Sequence, residues 1–546
     1  MNRLADAVNH LNERSKLGWL TLFCLAWLLP GLVGHQPWKP DEAYSFGVVY
    51  HLIKGGDWLV PTLAGEPYLE KPPFYFIAAA SVAKLFSSFL PTHDAARLTS
   101  GFFMALTLLF TGLSGRALWG RGQGRISVLL LMGCLGLSIR AHELITDMAQ
   151  LAGFAIALYG LTISRERAIL AGLAIGTGTG AAFMSNGLLA PLIVIPTALA
   201  LPLFFRAWRC KTYLLAFAIG LIALLPWLTL WPGLLYSHSP ALFSEWLQGK
   251  HWGRFFDSAK SADADHWFYL VNLPWYAWPA LPIALWALWR EKLTRPEIQL
   301  PATVFLVMLL VLSAATDARE LHALPMLLPL ALLATAGVDS LRRGAANALN
   351  WFGIMTFGFF AGLLWFFWFA LMTGHPASNH EHLLEMQPGY TPEFFPLTFS
   401  VALGYTLAWL ILLIATQRLP RGRRAVINWC GGVTLFWSIA TTICLPWIDA
   451  GKSYQSMITS LQQALPPNYN CIASTNLGEP QRAMLDYYAG VVTRRTEVAG
   501  PQDCSLLLVQ GSTNNPFVPA AEWHTLWEGA RPGDKAERFW LFGRAP

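Results

Sequence analysis

The stretch FYFIAAASVAKLFSSFL, residues 74–90, decides how the rest of the chain is arranged. It is apolar enough to be read as a membrane helix, yet it follows Pro72 and Pro73 and contains Lys84 and three serines. Its 17 residues sit at the lower limit for crossing a ~30 Å hydrocarbon core. Whether it crosses or lies flat fixes which side of a membrane every neighbouring loop faces. The chain around it belongs in lipid. Of 546 residues, 54% are hydrophobic and only 13% charged, with 25 Trp and 33 Phe. Soluble domains carry about 25% charged residues. Apolar runs of roughly 17–25 residues recur throughout, each long enough for a spanning helix. The first, Leu17–Val33, is followed by no small-residue cleavage site and reads as a retained helix rather than a signal peptide.

Short cytoplasmic loops are enriched in Lys and Arg, and seven clusters serve as markers. They are Arg3/Arg14/Lys16, Arg116/Arg121/Arg125, Arg165/Arg167, Arg206/Arg209/Lys211, Arg290/Lys292/Arg295, Arg342/Arg343 and Arg418/Arg421/Arg423/Arg424. Between Lys16 and Arg116 the number of crossings must be even, but three apolar stretches occur there: 17–33, 74–90 and 95–118. Residues 74–90 are the ones that do not cross, and they are expected to lie at the outer interface. The other intervals take two spans each: 126–139 with 144–163, 168–184 with 187–205, 212–232 with 267–289, 299–315 with 321–341, and 350–373 with 396–416. A last helix, about 425–447, leads outward, which gives thirteen spans with the N-terminus cytoplasmic and the C-terminus external.

This topology puts Asp41, Glu42, Glu70, Lys71, Arg140–Asp147, the loop 233–266 and Asp317–His322 outside. Eleven of the 13 histidines also fall in or near external segments. The cytoplasmic loops are short, basic and nearly free of acids, so any chemistry is external. Residues 1–447 form the membrane domain, with long external loops at 34–94 and 233–266. Residues 448–546 break the pattern. CIASTNLGEP, AGVVTRR and CSLLLVQG surround a helical segment at Glu479–Tyr488, which suggests a small external α/β domain. Cys471 and Cys504 are the only cysteines in it, and a disulfide between them suits an oxidising compartment.

Several constellations could carry chemistry. WKPDEAYSF, residues 38–46, puts two adjacent acids outside; Asp41 reads either as a helix cap or as a carboxylate presented to a substrate at the lipid surface. YLEKPP, Tyr68–Pro73, sets Lys71 beside Glu70 as a cation for a phosphate. In RAHELITDMAQ, residues 140–150, Glu143 and Asp147 are spaced i,i+4 and would share a helix face. An acid one turn into a membrane helix is a functional candidate by default, although it can also serve as a dipole partner. The 233–266 loop mixes Lys250, His251 and Arg254 with Trp246, Trp252 and Phe255, a pattern that fits phospholipid headgroups or a lipid-linked phosphate. Arg319 and His322 stand at another helix start. A divalent metal held by Glu70 and His251 is conceivable, but no HExxH or CxxC spacing is present, and no cofactor is required by the sequence. The missing Walker loop and nucleotide fingerprint argue against an ATP-driven pump and a nucleotide-sugar enzyme.

The Asp41-Glu42 pair, the stretch GGDWLVPTLAGEPYLEKPPFYF at 55–76, and a second acid at a later helix start together resemble the GT-C lipid-dependent glycosyltransferases. Within them, the chain is most similar to the bacterial aminoarabinose transferases, relatives of the protein O-mannosyltransferases. The motif-rich match covers about residues 36–150; the thirteen-span plan and external tail agree more loosely. The resemblance implies a polytopic α-helical GT-C fold with a small C-terminal α/β domain in the periplasm. It implies transfer of 4-amino-4-deoxy-L-arabinose from undecaprenyl phosphate to a lipid A phosphate at the outer face of the bacterial inner membrane. Asp41, with Glu42 beside it, and Asp147 would be the catalytic acids; Lys71, Tyr68, Arg254 and Arg319 would hold phosphate and lipid. The implied partners are the lipid-linked donor, lipid A and membrane lipids, with no nucleic acid, around a monomer. One departure stands out: Ser185-Asn186-Gly187 replaces a Lys-Gly at the start of the sixth span. Two other readings share the spans: a GT-C transferase with a protein acceptor, and a transporter or flippase for lipid-linked sugar. The second is disfavoured by the lack of acids or histidines midway through the spans.

Overall fold

A computed structural model describes residues 13–252, 265–500, 503–512, 517 and 522–544. All thirteen stretches read as spans coincide with helix, but the helices differ in reach. Seven are long and apolar enough to cross a membrane: Thr92–Trp119, Ala168–Asn186, Lys211–His238, Pro296–Ala314, Glu320–Val338, Arg343–Thr373 and Pro396–Ala415. Two further apolar segments, Gln123–Met132 with Leu135–His142 and Arg421–Ala440 with Leu445–Lys452, are bent by 74° and 70° and bring the count to nine if each is one span. The other four expected crossings fall on the short helices Glu13–Leu28, Asp147–Ile163 and Leu189–Phe204, and on 268–291. That last segment breaks into Phe268–Tyr276 and Ala280–Glu291 at Trp278-Pro279, where proline supplies no amide hydrogen to continue the ladder. The protein is a multi-pass membrane protein.

The deciding stretch forms a helix at Phe74–Phe86. Its 13 residues reach only about 20 Å, well short of a ~30 Å core. It buries Tyr75, Phe76, Ala79, Ala80 and Ala83 on the helices Asp41–Ile53 and Thr92–Trp119, while Lys84, Leu85 and Phe86 stay exposed. Deeper in the bundle, the helices Asp147–Ile163, Ala168–Asn186 and Lys211–His238 approach through small residues. A Cβ at Gly153 would strike the Gly178 backbone, and one at Gly176 would strike Gly220. Such small-residue seams let membrane helices pack backbone to backbone. Here they set the start of one helix, Asp147, against the end of the next, Asn186.

The tail builds a five-stranded sheet in the order β4-β3-β5-β7-β6, with β3 Ile472–Thr475, β4 Arg494–Arg495, β5 Leu506–Ser512, β6 Trp523–Gly529 and β7 Glu537–Arg544. The β3 strand is parallel to β4 and β5, as the helix Glu479–Ala489 between β3 and β4 requires; β5, β7 and β6 are antiparallel neighbours. A disulfide joins Cys471 and Cys504, just before β3 and β5. The tail docks on the helix Asp41–Ile53. Gly47 makes that contact possible, because a Cβ there would run into the Ala483 methyl. Phe46 meets Tyr487 edge-on at 4.7 Å, and Lys54 pairs with Asp486 at 3.1 Å. A small hairpin, β1 Thr62–Leu63 and β2 Glu66–Pro67, turns through Ala64 and Gly65, both at positive φ. Its Glu66 receives Arg482 at 3.1 Å and Arg495 at 3.0 Å.

Candidate active site

Asp41 begins the helix Asp41–Ile53, but it does not cap it: Pro40 occupies the cap position, and no side chain closes that end. Among the described residues the Asp41 carboxylate has one hydrogen-bond partner, Arg140, whose terminal nitrogen lies 3.4 Å from Oδ2. The same nitrogen donates to Glu143 Oε2 at 2.9 Å. Burial pushes the Asp41 carboxyl above its usual range, while Arg140 and then Lys71 pull it back; Asp147 and Arg319 also lie close enough for their charge to be felt. The acid is partly exposed and cationic on one side.

Lys71 Nζ donates to Thr146 Oγ1 at 2.8 Å and to Asp147 Oδ2 at 3.2 Å. Burial works against the ammonium, but the Asp147 and Asp41 carboxylates outweigh it and hold Lys71 above its usual value. A lysine has three donors, so one remains. Asp147 Oδ1 accepts from Asn186 Nδ2 at 3.2 Å, and that amide also donates to Gln150 Oε1 at 3.0 Å. Where the resemblance expects a cation, the chain therefore places a neutral amide that fixes the orientation of Asp147. Among the described residues the buried Gln150 Nε2 has no hydrogen-bond partner.

Glu42, expected among the reacting acids, is an anchor instead. It is 1% exposed and takes Arg97 Nε at 2.8 Å, the Leu144 amide at 2.8 Å and the Trp38 amide at 3.1 Å. These bonds tie the segment before Asp41 to the segment before Asp147, with Arg97 further held by Asp94 at 2.6 Å. They also correct the reading of Glu143 and Asp147 as one helical face. Residues 140–142 form a single 3-10 turn, Glu143 is extended with its carbonyl held by Ser100, and the helix starts only at Asp147. His142 is buried between Trp27 and Trp437 with both ring nitrogens on backbone carbonyls, a packing role.

Tyr68 is buried, stacks on Tyr44 at 6.2 Å and reaches Glu70 at 3.5 Å. Tyr44 lies within electrostatic range of Lys71, Asp41, Asp147 and Glu70, which makes it a wall of the site that no sequence signal singled out. Arg319 stands at the rim, half exposed and held by Asp317 at 3.0 Å. Arg254 lies outside the described residues, as does the side chain of His251. Among the described residues no three His, Cys, Asp or Glu side chains converge as metal ligands, and exposed Glu70 meets only Tyr68. Sequence reasoning passed over Arg97; a charge within an apolar helix, three residues after Asp94, was the signal available. The assembled site offers a carboxylate, two cations and a second acid in one partly buried place, a set suited to an anion bearing a nearby cation.

No family model matches the chain. Curated relatives named undecaprenyl phosphate-alpha-4-amino-4-deoxy-L-arabinose arabinosyl transferase do. That of Serratia proteamaculans is 28% identical over 333 residues, 58% of this chain and 57% of its own length. That of Pseudomonas aeruginosa is 30% identical over 354 residues, 62% of each chain. That of Pseudomonas savastanoi pv. phaseolicola is 28% identical over 443 residues, 75% of this chain and 79% of its own. The matches with the Serratia proteamaculans, Yersinia enterocolitica and Pectobacterium carotovorum relatives span 57%, 63% and 60% of those proteins' lengths. Among solved structures, ArnT from Cupriavidus metallidurans bound to undecaprenyl phosphate superposes with a TM-score of 0.65 over 96% of this chain and 98% of that one, at 16% identity. The chain has the GT-C membrane fold of that structure and is similar in sequence to relatives named undecaprenyl phosphate-aminoarabinose transferases.

Proposed function

We propose that the protein is a glycosyltransferase that moves 4-amino-4-deoxy-L-arabinose from undecaprenyl phosphate to a phosphate of lipid A, on the periplasmic face of the inner membrane. The observation that carries this reading is the meeting of Asp41 with Arg140, and of Lys71 with Asp147, at one place in a GT-C fold. A zwitterionic donor, with a phosphodiester anion and a sugar ammonium, fits a site that holds both signs of charge. The names of the curated relatives and the undecaprenyl phosphate in the neighbouring structure support the donor. The membrane domain 1–447 would supply the reaction and the domain 448–546 would face the periplasm with it.

In the reaction, an oxygen of the acceptor phosphate attacks the anomeric carbon as the bond from that carbon to the donor phosphate oxygen breaks. The electron pair leaves with undecaprenyl phosphate, and the anomeric carbon inverts. The acceptor is already ionised near neutral pH, so no proton need be removed. Lys71 would stabilise charge developing on the leaving phosphate, where a positioned cation in a low-dielectric site acts most strongly. Asp41 would hold the sugar ammonium or the cationic anomeric centre, and Asp147 would keep Lys71 charged and aimed. The test is transfer by purified protein from lipid-linked aminoarabinose to lipid A, with dephosphorylated lipid A and a serine-rich peptide as alternative acceptors. Transfer to lipid A that disappears on dephosphorylation is expected; transfer to the peptide alone would replace the acceptor in this reading, and no transfer with either would reject it.

A further inference from the structure

Arg140 has no role in the function derived above beyond its contact with Asp41, yet its geometry is that of a half-used anion receptor. Among the described residues both of its hydrogen bonds leave from a single terminal nitrogen, toward Asp41 and Glu143. A guanidinium carries five N–H donors in a rigid fork matched to phosphate, so its other edge is uncommitted. The side chain is 27% exposed, open enough for a ligand to reach and buried enough for the contact to matter. The competing sources of positive charge fit less well. Asn186 is neutral, and its amide nitrogen is spent on Asp147 and Gln150. Arg319 is half exposed and already bonded to Asp317 through Nε. Lys71 has a single N–H donor left after Thr146 and Asp147, enough for one contact to a phosphate but not for a fork.

Resting on the transferase reading, we propose that Arg140 is the second cation on the lipid-linked phosphate, sharing it with Lys71. The phosphate oxygens would take the free edge of the guanidinium and the third Lys71 donor. Glu143 and Asp41 hold the shared nitrogen and so aim the fork. Arg140 is then a phosphate-binding residue on the segment just before the Asp147 helix, and it arrives there only because Glu42 folds that segment against Asp41.

The experiment measures binding of undecaprenyl phosphate and of undecaprenol to the full-length protein in nanodiscs, by native mass spectrometry. Wild type is expected to prefer the phosphate. Arg140→Gln should lose roughly ten- to hundredfold of its affinity for undecaprenyl phosphate, the scale of a charge-assisted hydrogen bond, and keep its affinity for undecaprenol. Arg140→Lys, which retains a point charge without the fork, should fall between the two. Equal phosphate affinity in wild type and Arg140→Gln, with wild type still preferring phosphate over alcohol, overturns the assignment and leaves the transferase reading standing. A parallel loss of both lipids would make Arg140 merely structural and also overturns it. A wild type that does not distinguish the lipids overturns both readings together.

Discussion

Lys71 Nζ lies 3.2 Å from Asp147 Oδ2, an ion pair closed across 76 residues of sequence, with the acid only 2% exposed. Breaking a buried pair from one side leaves an uncompensated charge and costs about 3–5 kcal/mol, whereas removing both partners is often nearly neutral. Lys71→Met and Asp147→Leu should therefore each lower the melting temperature, and the double variant should regain most of it. All three should lose transfer. A double variant less stable than either single one would show that the pair is not a closed unit. Lys84→Ala, on the outer face of the helix Phe74–Phe86, should leave transfer and melting unchanged.

Asp41→Asn separates charge from shape. Since Asp41 closes no helix end, the amide costs little stability. Transfer should nevertheless drop by roughly 10²-fold or more, the scale of removing one positioned electrostatic group. Turnover and thermal melting measured on the same preparation decide it; near-normal turnover would leave Asp147 as the leading acid.

Glu42→Gln should do the reverse of its neighbour. It strips one of two carboxylates from the buried Arg97, leaving Asp94 alone, and weakens the bonds to two backbone amides. A loss of about 3–5 kcal/mol is expected, seen as a lower melting temperature and poor yield. A stable Glu42→Gln protein that fails only in turnover would return Glu42 to the reacting acids.

Glu143 gives stability a pH dependence. Burial pushes its carboxyl from 4.5 up to about 7, against the pull of Arg140. Between those values the folded protein keeps a proton that the unfolded chain has released, so stability falls as pH rises across the window and levels off above it. The contribution is on the order of 3 kcal/mol. Wild type should lose more melting temperature than Glu143→Gln between about pH 5 and about pH 7.5. Parallel curves for the two proteins would exclude Glu143 as the source.

The Cys471–Cys504 bond closes a separation of 33 residues, for which loop-closure entropy gives about 2–4 kcal/mol. Reduction, or Cys471→Ser with Cys504→Ser, should raise hydrogen exchange in β3 and β5 and leave exchange in the membrane helices unchanged. Intact-mass analysis of the native protein should show two protons fewer than the reduced chain.

The parts of the fold readable in sequence were those with a local signature. Apolar runs and basic loops carry their own periodicity and charge, so helices stand where the runs do. Lys71 and Asp147 could be named because each sits in a charged motif beside a helix start. Their pairing could not, because register between two segments 76 residues apart is set by tertiary packing and not by either motif. Glu42 was grouped with Asp41 as a lesser reacting acid, since nothing local says that one of two adjacent acids turns inward to Arg97. Neither the helix break at Trp278-Pro279, within a stretch read as one span, nor the late helix start at Asp147 was foreseen. The late start is imposed by Glu42 and Ser100 holding the preceding backbone from elsewhere in the chain.

The docking of the tail on the first loop also sets a timetable for biosynthesis. Lys39 finds Asp534 at 3.3 Å, across a sequence separation of 495. At about 5–20 residues per second, a nascent chain takes roughly 25–100 s to make that partner after making Lys39. When Asp41 and Lys71 are made, neither the helix Glu479–Ala489 nor any strand of the tail that meets their loop yet exists. The loop that carries Asp41 and Lys71 is thus braced by residues made long after it, so a chain stopped before them leaves that loop without its partners.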